Sequence, residues 1–137
     1  MMTGCDARMD ALHPRLLVDR FPESFRFYDA LLPELLGATR TRGSVEGPYA
    51  SWDLGTEGLI TLFDRASMAT AIKVACPAPG GALLVSRVAD VDEAYARCLA
   101  HGAAVASPPI NQPAWGPTMR TAHVRDPEGN LWELQSY

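Results

Sequence analysis

The feature that most constrains the fold is an order of elements that occurs twice along the chain. In the first half, an alternation of apolar and polar residues over His13–Asp19 predicts a strand. Apolar residues at helical spacing from Pro22 to Leu36 then predict a helix that ends before Gly37. Three short segments with strand character follow, at residues 38–42, 49–54 and 59–63. The first half is therefore expected to be a strand, a helix and three strands.

The second half is predicted to have the same order. A strand is expected over residues 82–88, and Asp90 with Glu93 three residues later forms the pattern of a helix-capping box, with Gly102 after the helix. Strands are expected over 103–106, 118–125 and 131–135, with a Pro-rich loop, 107–117, between the first two. The halves match at an offset of about 70 residues through the helices and about 72 beyond them, which places Thr61 on Glu133.

Such a repeat predicts an α+β fold of two βαβββ modules with pseudo-twofold symmetry. Mixed sheets are expected to curl round a shared cavity, with the helices outside. We assign residues 12–64 to the first module and 82–137 to the second. Residues 65–81, which end in the Pro- and Gly-rich segment 76–81, are predicted to be a linker, and residues 1–11 a flexible N-terminus.

Composition and charge exclude several classes of function. The chain has 12 Lys and Arg and 16 Asp and Glu, a net charge of −4, whereas a nucleic-acid surface needs clustered basic residues. Apolar residues nowhere form a run of about 18, and the N-terminal residues lack the apolar region of a signal peptide. Three cysteines without a CxxC spacing favour reduced thiols in the cytoplasm. Neither nucleic acid nor a membrane is expected as a partner.

The segment from His123 to Leu134 predicts a hairpin that carries the first candidate functional residue. Asp126–Asn130 is dense in turn formers. In the strand that follows, Glu133 and Gln135 share one face, because side chains alternate across a strand. A carboxylate on such a face is paired, bound to a metal or solvated. Glu133 is therefore the candidate catalytic residue, as a metal ligand or a general base.

This hairpin resembles the last hairpin of the vicinal oxygen chelate superfamily, which includes glyoxalase I, fosfomycin-resistance enzymes, extradiol dioxygenases and bleomycin-resistance proteins. The segment 90–94 also resembles that family. Members of the superfamily bind drugs, isomerise, epimerise, transfer thiols and cleave rings on one scaffold, so the resemblance implies a fold of two βαβββ modules and no single activity. It covers residues 12–137 and includes the first strand and helix through His13, Val18, Arg20, Ser24, Phe27 and Tyr28.

The resemblance also implies where a metal would bind. In metal-dependent members, four positions hold one ion, and these correspond here to His13, Thr61, Leu83 and Glu133. Leucine cannot ligate and a threonine hydroxyl is a poor ligand, whereas catalytic metal sites generally offer three or more protein ligands. Of the other residues on these faces, only His123 could add a ligand. We therefore expect no metal and no other cofactor, and keep a divalent metal held by His13 and Glu133 as the alternative.

The other residues of the predicted cavity face combine aromatic walls with polar anchors, as small-ligand sites do. Arg15 and Arg87 could each form a salt bridge with Glu133 or hold a carboxylate or phosphate of a ligand. Trp52 and Trp132, on the opposite face, are expected in the core. The candidate ligand-binding residues are Arg15, Tyr49, Ser51, Phe63, Arg87, Trp115, Thr121, His123 and Gln135.

These observations favour a small-molecule binding protein with a degenerate metal site, closest in character to the bleomycin-resistance members, that sequesters a drug or a metabolite. The alternative is a metal-dependent lyase, isomerase or dioxygenase that uses His13 and Glu133. A third hypothesis is an interaction domain whose cavity is filled by its own side chains. By resemblance, a homodimer is expected. The sequence does not identify the ligand.

Overall fold

The computed structural model describes residues 13–72, 75 and 83–137, which fall into two units. Residues 13–72 and 75 belong to the first unit, and residues 83–137 form the second. The predictions for residues 1–11 and for the end of the linker, 76–81, lie outside the described residues.

The first unit is a four-stranded mixed sheet with a helix packed on it. Strand β1 (Arg15–Val18) leads into helix α1 (Phe21–Leu36), and strands β2 (Thr39–Gly43), β3 (Tyr49–Leu54) and β4 (Glu57–Asp64) follow. The strand order is β1-β4-β3-β2, with β1 parallel to β4 and the other neighbours antiparallel. This half has the predicted order of elements.

Helix α1 is fixed at both ends and buries its apolar face. Pro22 lies in the first turn, where a missing N–H leaves no hydrogen bond unmade, and Gly37 ends the helix with φ at 72°. Phe25 packs on Trp52 of β3, with ring centroids 5.7 Å apart. The Trp52 indole is fully buried and donates a hydrogen bond to Asp29 of α1 at 3.2 Å. The prediction that Trp52 lies in the core is confirmed.

The second unit has the same design. Strand β5 (Leu83–Arg87), helix α3 (Val91–Ala100) and strands β6 (Ala104–Asn111), β7 (Arg120–Arg125) and β8 (Leu131–Ser136) form a sheet of order β5-β8-β7-β6. The Asp90 side chain accepts a hydrogen bond from the backbone N–H of Glu93 at 3.1 Å, as the capping-box pattern predicts. Trp132 is buried in the core as predicted, and its indole donates to the Ser86 hydroxyl at 2.8 Å.

The strand register confirms the internal repeat. In the first unit, Thr61 of β4 lies between Arg15 of β1 and Ser51 of β3. In the second unit, Glu133 of β8 lies between Val85 of β5 and His123 of β7. Thr61 and Glu133 are therefore equivalent positions, as the offset of the two halves predicts. The α+β fold of two repeated modules is confirmed.

One helix was not predicted from the sequence. Helix α2 (Arg65–Ile72) occupies the start of the segment assigned to a linker. Its first turn is capped by Asp64, which accepts from the backbone N–H of Ser67 at 3.0 Å and from its hydroxyl at 2.8 Å. Arg65 is only 5% exposed and donates two hydrogen bonds to Asp19. Residues 65–72 are therefore part of the first unit, and their weak apolar periodicity explains why the helix was missed.

The Pro-rich segment predicted as a loop is partly a strand. Strand β6 continues through Pro108 and Pro109 to Asn111. Proline cannot donate to a strand ladder, but β6 is an edge strand and its register with β7 shifts between Ser107 and Ile110. The loop is therefore shorter than predicted, running from residue 112 to 119, and the prediction of a loop from residue 107 is wrong.

The helices in the described ranges are too short or too polar to cross a membrane. The longest of them, α1, has 16 residues. At 1.5 Å per residue it is about 24 Å long, whereas a spanning helix needs roughly 20 apolar residues.

Candidate ligand-binding site

A depression of about 200 Å³ lies on the sheet of the first unit. Tyr49, Ser51 and Asp53 of β3 line it, because every second residue of a strand points to the same face, and Thr61 of β4 lies beside Ser51. Four of the lining side chains are Ser or Thr, so the surface is rich in hydroxyl groups. The lining residues are His13, Thr41, Arg42, Tyr49, Ser51, Asp53, Thr56, Gly58 and Thr61.

Arg15 lies beside this depression and contacts two of its lining residues, Thr61 and Tyr49. Its Nε donates a hydrogen bond to the Thr61 hydroxyl at 3.1 Å. Its guanidinium carbon is 5.5 Å from the ring centroid of Tyr49 and 5.8 Å from that of Phe63, within the range of cation–π attraction. The two rings also contact each other, with centroids 5.8 Å apart. Arg15 is therefore held by one hydrogen bond and two aromatic rings.

A hydroxyl pair forms another part of the floor. The Ser51 and Thr41 hydroxyls are 3.0 Å apart, which joins β3 to β2 on this face. Ser51 is buried and Thr41 is exposed. Each hydroxyl has one proton and two lone pairs, so the pair keeps hydrogen-bonding capacity for a ligand.

The second unit carries a polar cluster at the equivalent position, made of Thr121, His123, Glu133 and Gln135. His123 Nε2 is 2.9 Å from Glu133 Oε1, and Gln135 Nε2 donates to Glu133 Oε2 at 2.7 Å. Glu133 is 8% exposed, and Thr121 is fully buried. Burial of the Glu133 carboxylate is tolerated because each of its oxygens has a hydrogen-bonding partner.

Three of the positions that the resemblance assigns to a metal have a side chain that is already engaged or that lacks a donor atom. Thr61 accepts a hydrogen bond from the cationic Arg15, which would repel a divalent ion. Leu83 offers no donor atom, and both oxygens of Glu133 are engaged by His123 and Gln135. Within residues 13–72, 75 and 83–137, no group of three or more His, Cys, Asp and Glu side chains is arranged to hold a metal ion.

Two candidate residues lie apart from these clusters. Arg87 donates to the backbone oxygen of Tyr137 at 2.9 Å, and its guanidinium lies 3.9 Å from the Tyr137 ring centroid. Trp115 is 56% exposed in the loop between β6 and β7. The suggested salt bridge of Glu133 with Arg87 is not formed, because within the second unit His123 and Gln135 take both carboxylate oxygens.

Sequence reasoning found some of the lining residues and missed others. Tyr49 and Ser51 were predicted from strand alternation, and His13 and Thr61 from the resemblance. Asp53 is two residues beyond Ser51 on the same strand, so the same alternation could have found it. Thr41 and Arg42 could not have been found, because the register of β2 shifts between Arg40 and Arg42. The missed lining residues are Thr41, Arg42, Asp53, Thr56 and Gly58.

The resolved pKa shifts lie outside both clusters. Two hydrogen bonds from Arg120, at 2.9 Å each, lower the pKa of Asp92 below its ordinary value, and the same contact raises the pKa of Arg120. Burial raises the pKa of the Cys98 thiol to about 11. Cys98 is thus a protonated, buried thiol at neutral pH and is no candidate nucleophile.

The chain thus consists of two repeated βαβββ units that carry polar side chains at equivalent positions of their sheets. The chain belongs to the Glyoxalase/Bleomycin resistance protein/Dioxygenase superfamily, whose family model matches residues 11–134. The resemblance described above to the vicinal oxygen chelate superfamily is confirmed.

Relatives and solved structures support this assignment. The chain is 33% identical over 131 residues to the uncharacterized protein YraH of Bacillus subtilis (strain 168), covering 92% of this chain and 97% of that protein. The structure of a glyoxalase-related enzyme from Fulvimarina pelagi superimposes with a TM-score of 0.73 at 18% identity, over 94% of this chain and 89% of that one. A virulence protein from Salmonella typhimurium superimposes with a TM-score of 0.64 at 25% identity, over 97% and 98%. The enzyme shares the fold at an identity too low to carry a function.

Proposed function

We propose that this protein binds a small molecule on the sheet face of its first unit without a metal, and thereby sequesters a drug or a metabolite. The observation that carries the proposal is the hydrogen bond from Arg15 to Thr61 at 3.1 Å. It places a fixed positive charge at a position where metal-dependent relatives are expected to need a ligand for a divalent cation. A positive charge at this position disfavours a divalent cation and is compatible with a small-molecule ligand.

The depression beside Arg15 supports ligand binding. Small-ligand sites combine aromatic surface with a few polar groups that fix the orientation of the ligand. Here Tyr49 supplies aromatic surface in the lining, with the Phe63 ring in contact with it, and the Ser51 and Thr61 hydroxyls supply polar groups. A volume of about 200 Å³ is small for a whole drug-sized molecule, so the depression would hold one end of a ligand.

The metal part of the proposal is tested directly. The protein is incubated with Zn, Ni, Mn or Fe ions, dialysed and analysed for bound metal. We expect far less than one ion per chain. Near-stoichiometric retention of any of these metals would overturn the metal-free proposal.

The binding part is tested by a thermal-shift screen of metabolites and drugs. A ligand at 100 times its dissociation constant stabilises the folded protein by about 2.7 kcal/mol, which raises Tm by several degrees. Thr41→Leu, which fills the depression from an exposed edge strand, should weaken the response. Thr118→Leu makes the same change at an exposed position of the second unit and serves as the control. Equal responses of the two variants would place the ligand elsewhere.

The second candidate function is a metal-dependent lyase, isomerase or dioxygenase that uses His13 and Glu133. The observation that favours catalysis is the short contact between His123 and Glu133, because a carboxylate that orients an imidazole is a common arrangement for proton transfer. Under this hypothesis Glu133 is a metal ligand or a general base. Glu133→Gln should then abolish turnover of an identified substrate, and unchanged turnover would remove the hypothesis.

We also propose that the protein is a cytoplasmic homodimer. Oligomers are common in the superfamily, and the edge strand β5 exposes the apolar side chains of Leu83 and Val85. Cys98 is a free thiol, as cysteines of cytoplasmic proteins usually are. Light scattering after size exclusion should give a molar mass of twice that of one chain, and the Val85→Lys variant should have the mass of a single chain. A monomeric wild-type protein would contradict the proposal.

A further inference from the structure

We infer that the ligand of this site carries an acidic group, a carboxylate or a phosphate monoester, and that the Arg15 guanidinium binds it. The inference deepens the proposed function and rests on it, since it names the chemistry of the molecule that the first unit would bind.

The bonding pattern of Arg15 leaves the anion-binding part of its side chain available. A guanidinium has five N–H groups, and the contact with Thr61 uses the one on Nε. The two terminal amino groups, which are not part of this hydrogen bond, can each donate to one oxygen of an acid. Two parallel hydrogen bonds of this kind are the usual way in which arginine recognises carboxylates and phosphates.

The charge of Arg15 is not neutralised by its hydrogen-bonding partner. Thr61 is a neutral hydroxyl, and an aromatic ring attracts a cation without cancelling its charge. Three other arginines of the described chain donate to carboxylates instead, and their positive charges are balanced within the fold. These pairs are Arg40 with Asp29, Arg65 with Asp19 and Arg120 with Asp92.

The residues around Arg15 are already placed for such a ligand. Tyr49 and Phe63 restrict the guanidinium from the side, so less side-chain entropy is lost when an anion binds. Thr61 accepts from Arg15 through its oxygen and keeps its own proton for donation to the ligand. In the lining of the depression the positive charge of Arg42 is offset by the carboxylate of Asp53, so Arg15, beside the depression, adds the net positive charge. The face therefore favours an anion over a cation.

The experiment is a paired binding screen on the full-length chain. The library consists of small carboxylic acids and phosphate monoesters, each matched with its neutral amide or alcohol. Binding is followed by thermal shift and by the Arg Nε–Hε resonances in two-dimensional NMR. Arg15→Met removes the charge at similar side-chain length. Arg15→Lys keeps the charge but cannot form two parallel hydrogen bonds to one acid. Arg26→Met, at an exposed position of α1, is the control.

We expect acids to bind and to shift the Arg15 resonance, and their neutral partners to bind much more weakly. Arg15→Met should raise the dissociation constants of the acids by roughly 10- to 100-fold, the scale of a charge-assisted contact, and Arg15→Lys should give an intermediate loss. Arg26→Met should change them by less than about threefold. Preference among carboxylates or phosphates identifies which acid the site takes.

Two outcomes overturn the inference in distinguishable ways. If acids and neutral partners bind equally well and Arg15→Met has no effect, the acidic group is excluded while small-molecule binding stands. If no compound of either kind binds, the inference and the proposed function both fail.

Discussion

The turn between β7 and β8 should depend on one carboxylate, that of Asp126. Asp126 is 4% exposed. Its Oδ1 accepts from the backbone N–H of Glu128 at 3.0 Å and from that of Asn130 at 2.7 Å, and its Oδ2 accepts from the Asn130 side chain at 2.9 Å. The turn sets the register in which His123 faces Glu133. Replacing Asp126 with alanine should therefore loosen the second unit.

The expected cost follows from the groups that lose a partner. Asp126→Ala leaves two backbone N–H groups without an acceptor, at about 1–2 kcal/mol each, so unfolding should become easier by about 2–4 kcal/mol. Asp126→Asn keeps one oxygen that can accept from both backbone groups and loses the contact with the Asn130 side chain. Its cost should be about 1 kcal/mol. The test is the ratio of the two losses in the free energy of unfolding, that of Asp126→Ala to that of Asp126→Asn.

Urea unfolding followed by circular dichroism measures both variants, and Glu57→Ala, which removes an exposed carboxylate, is the control. The urea midpoint should be lowest for Asp126→Ala, higher for Asp126→Asn and highest for the control variant. If Asp126→Ala lies within about 0.5 kcal/mol of the wild type, the turn does not depend on these hydrogen bonds and the reasoning is refuted.

Three further predictions concern single side chains. Ser24→Ala should raise the free energy of unfolding by about 1 kcal/mol, because the buried Ser24 hydroxyl has no hydrogen-bonding partner among the described residues; a lower Tm would contradict this. Asp92→Asn should lower the free energy of unfolding at pH 7, and the difference from the wild type should disappear at acidic pH. Hydrogen bonds from Arg120 lower the pKa of Asp92 in the folded state, so the stabilisation is complete above about pH 4 and is lost as the pH falls through the folded-state pKa. An equal loss of stability at all pH values in urea titrations would contradict the ion pair. Cys98, whose pKa burial raises to about 11, should react with a maleimide only on unfolding when the other two cysteines are serine, and fast labelling of the folded protein would contradict its burial.

The candidate site could be predicted only in part. Alternation along a strand is a property of the backbone, so the sequence could place Tyr49 and Ser51 on one face. The partner of Glu133 depends on which residue of β7 lies opposite, and His123 takes that position through the register of the hairpin. Of the two arginines considered as partners, Arg87 lies in the same unit as Glu133 and donates to the backbone oxygen of Tyr137.

The repeated order of elements, the approximate limits of most strands and helices, and the family can all be read from the amino-acid sequence. These properties follow from local signals: apolar periodicity, turn formers and helix caps act over a few neighbouring residues. Three features become visible only in the folded chain: Arg15 binds Thr61 beside two aromatic rings, α2 joins the first unit through Arg65, and β6 runs through two prolines. Each of these depends on a contact between residues far apart in the chain or on a shifted register, and such pairings are set by the packing of the whole unit.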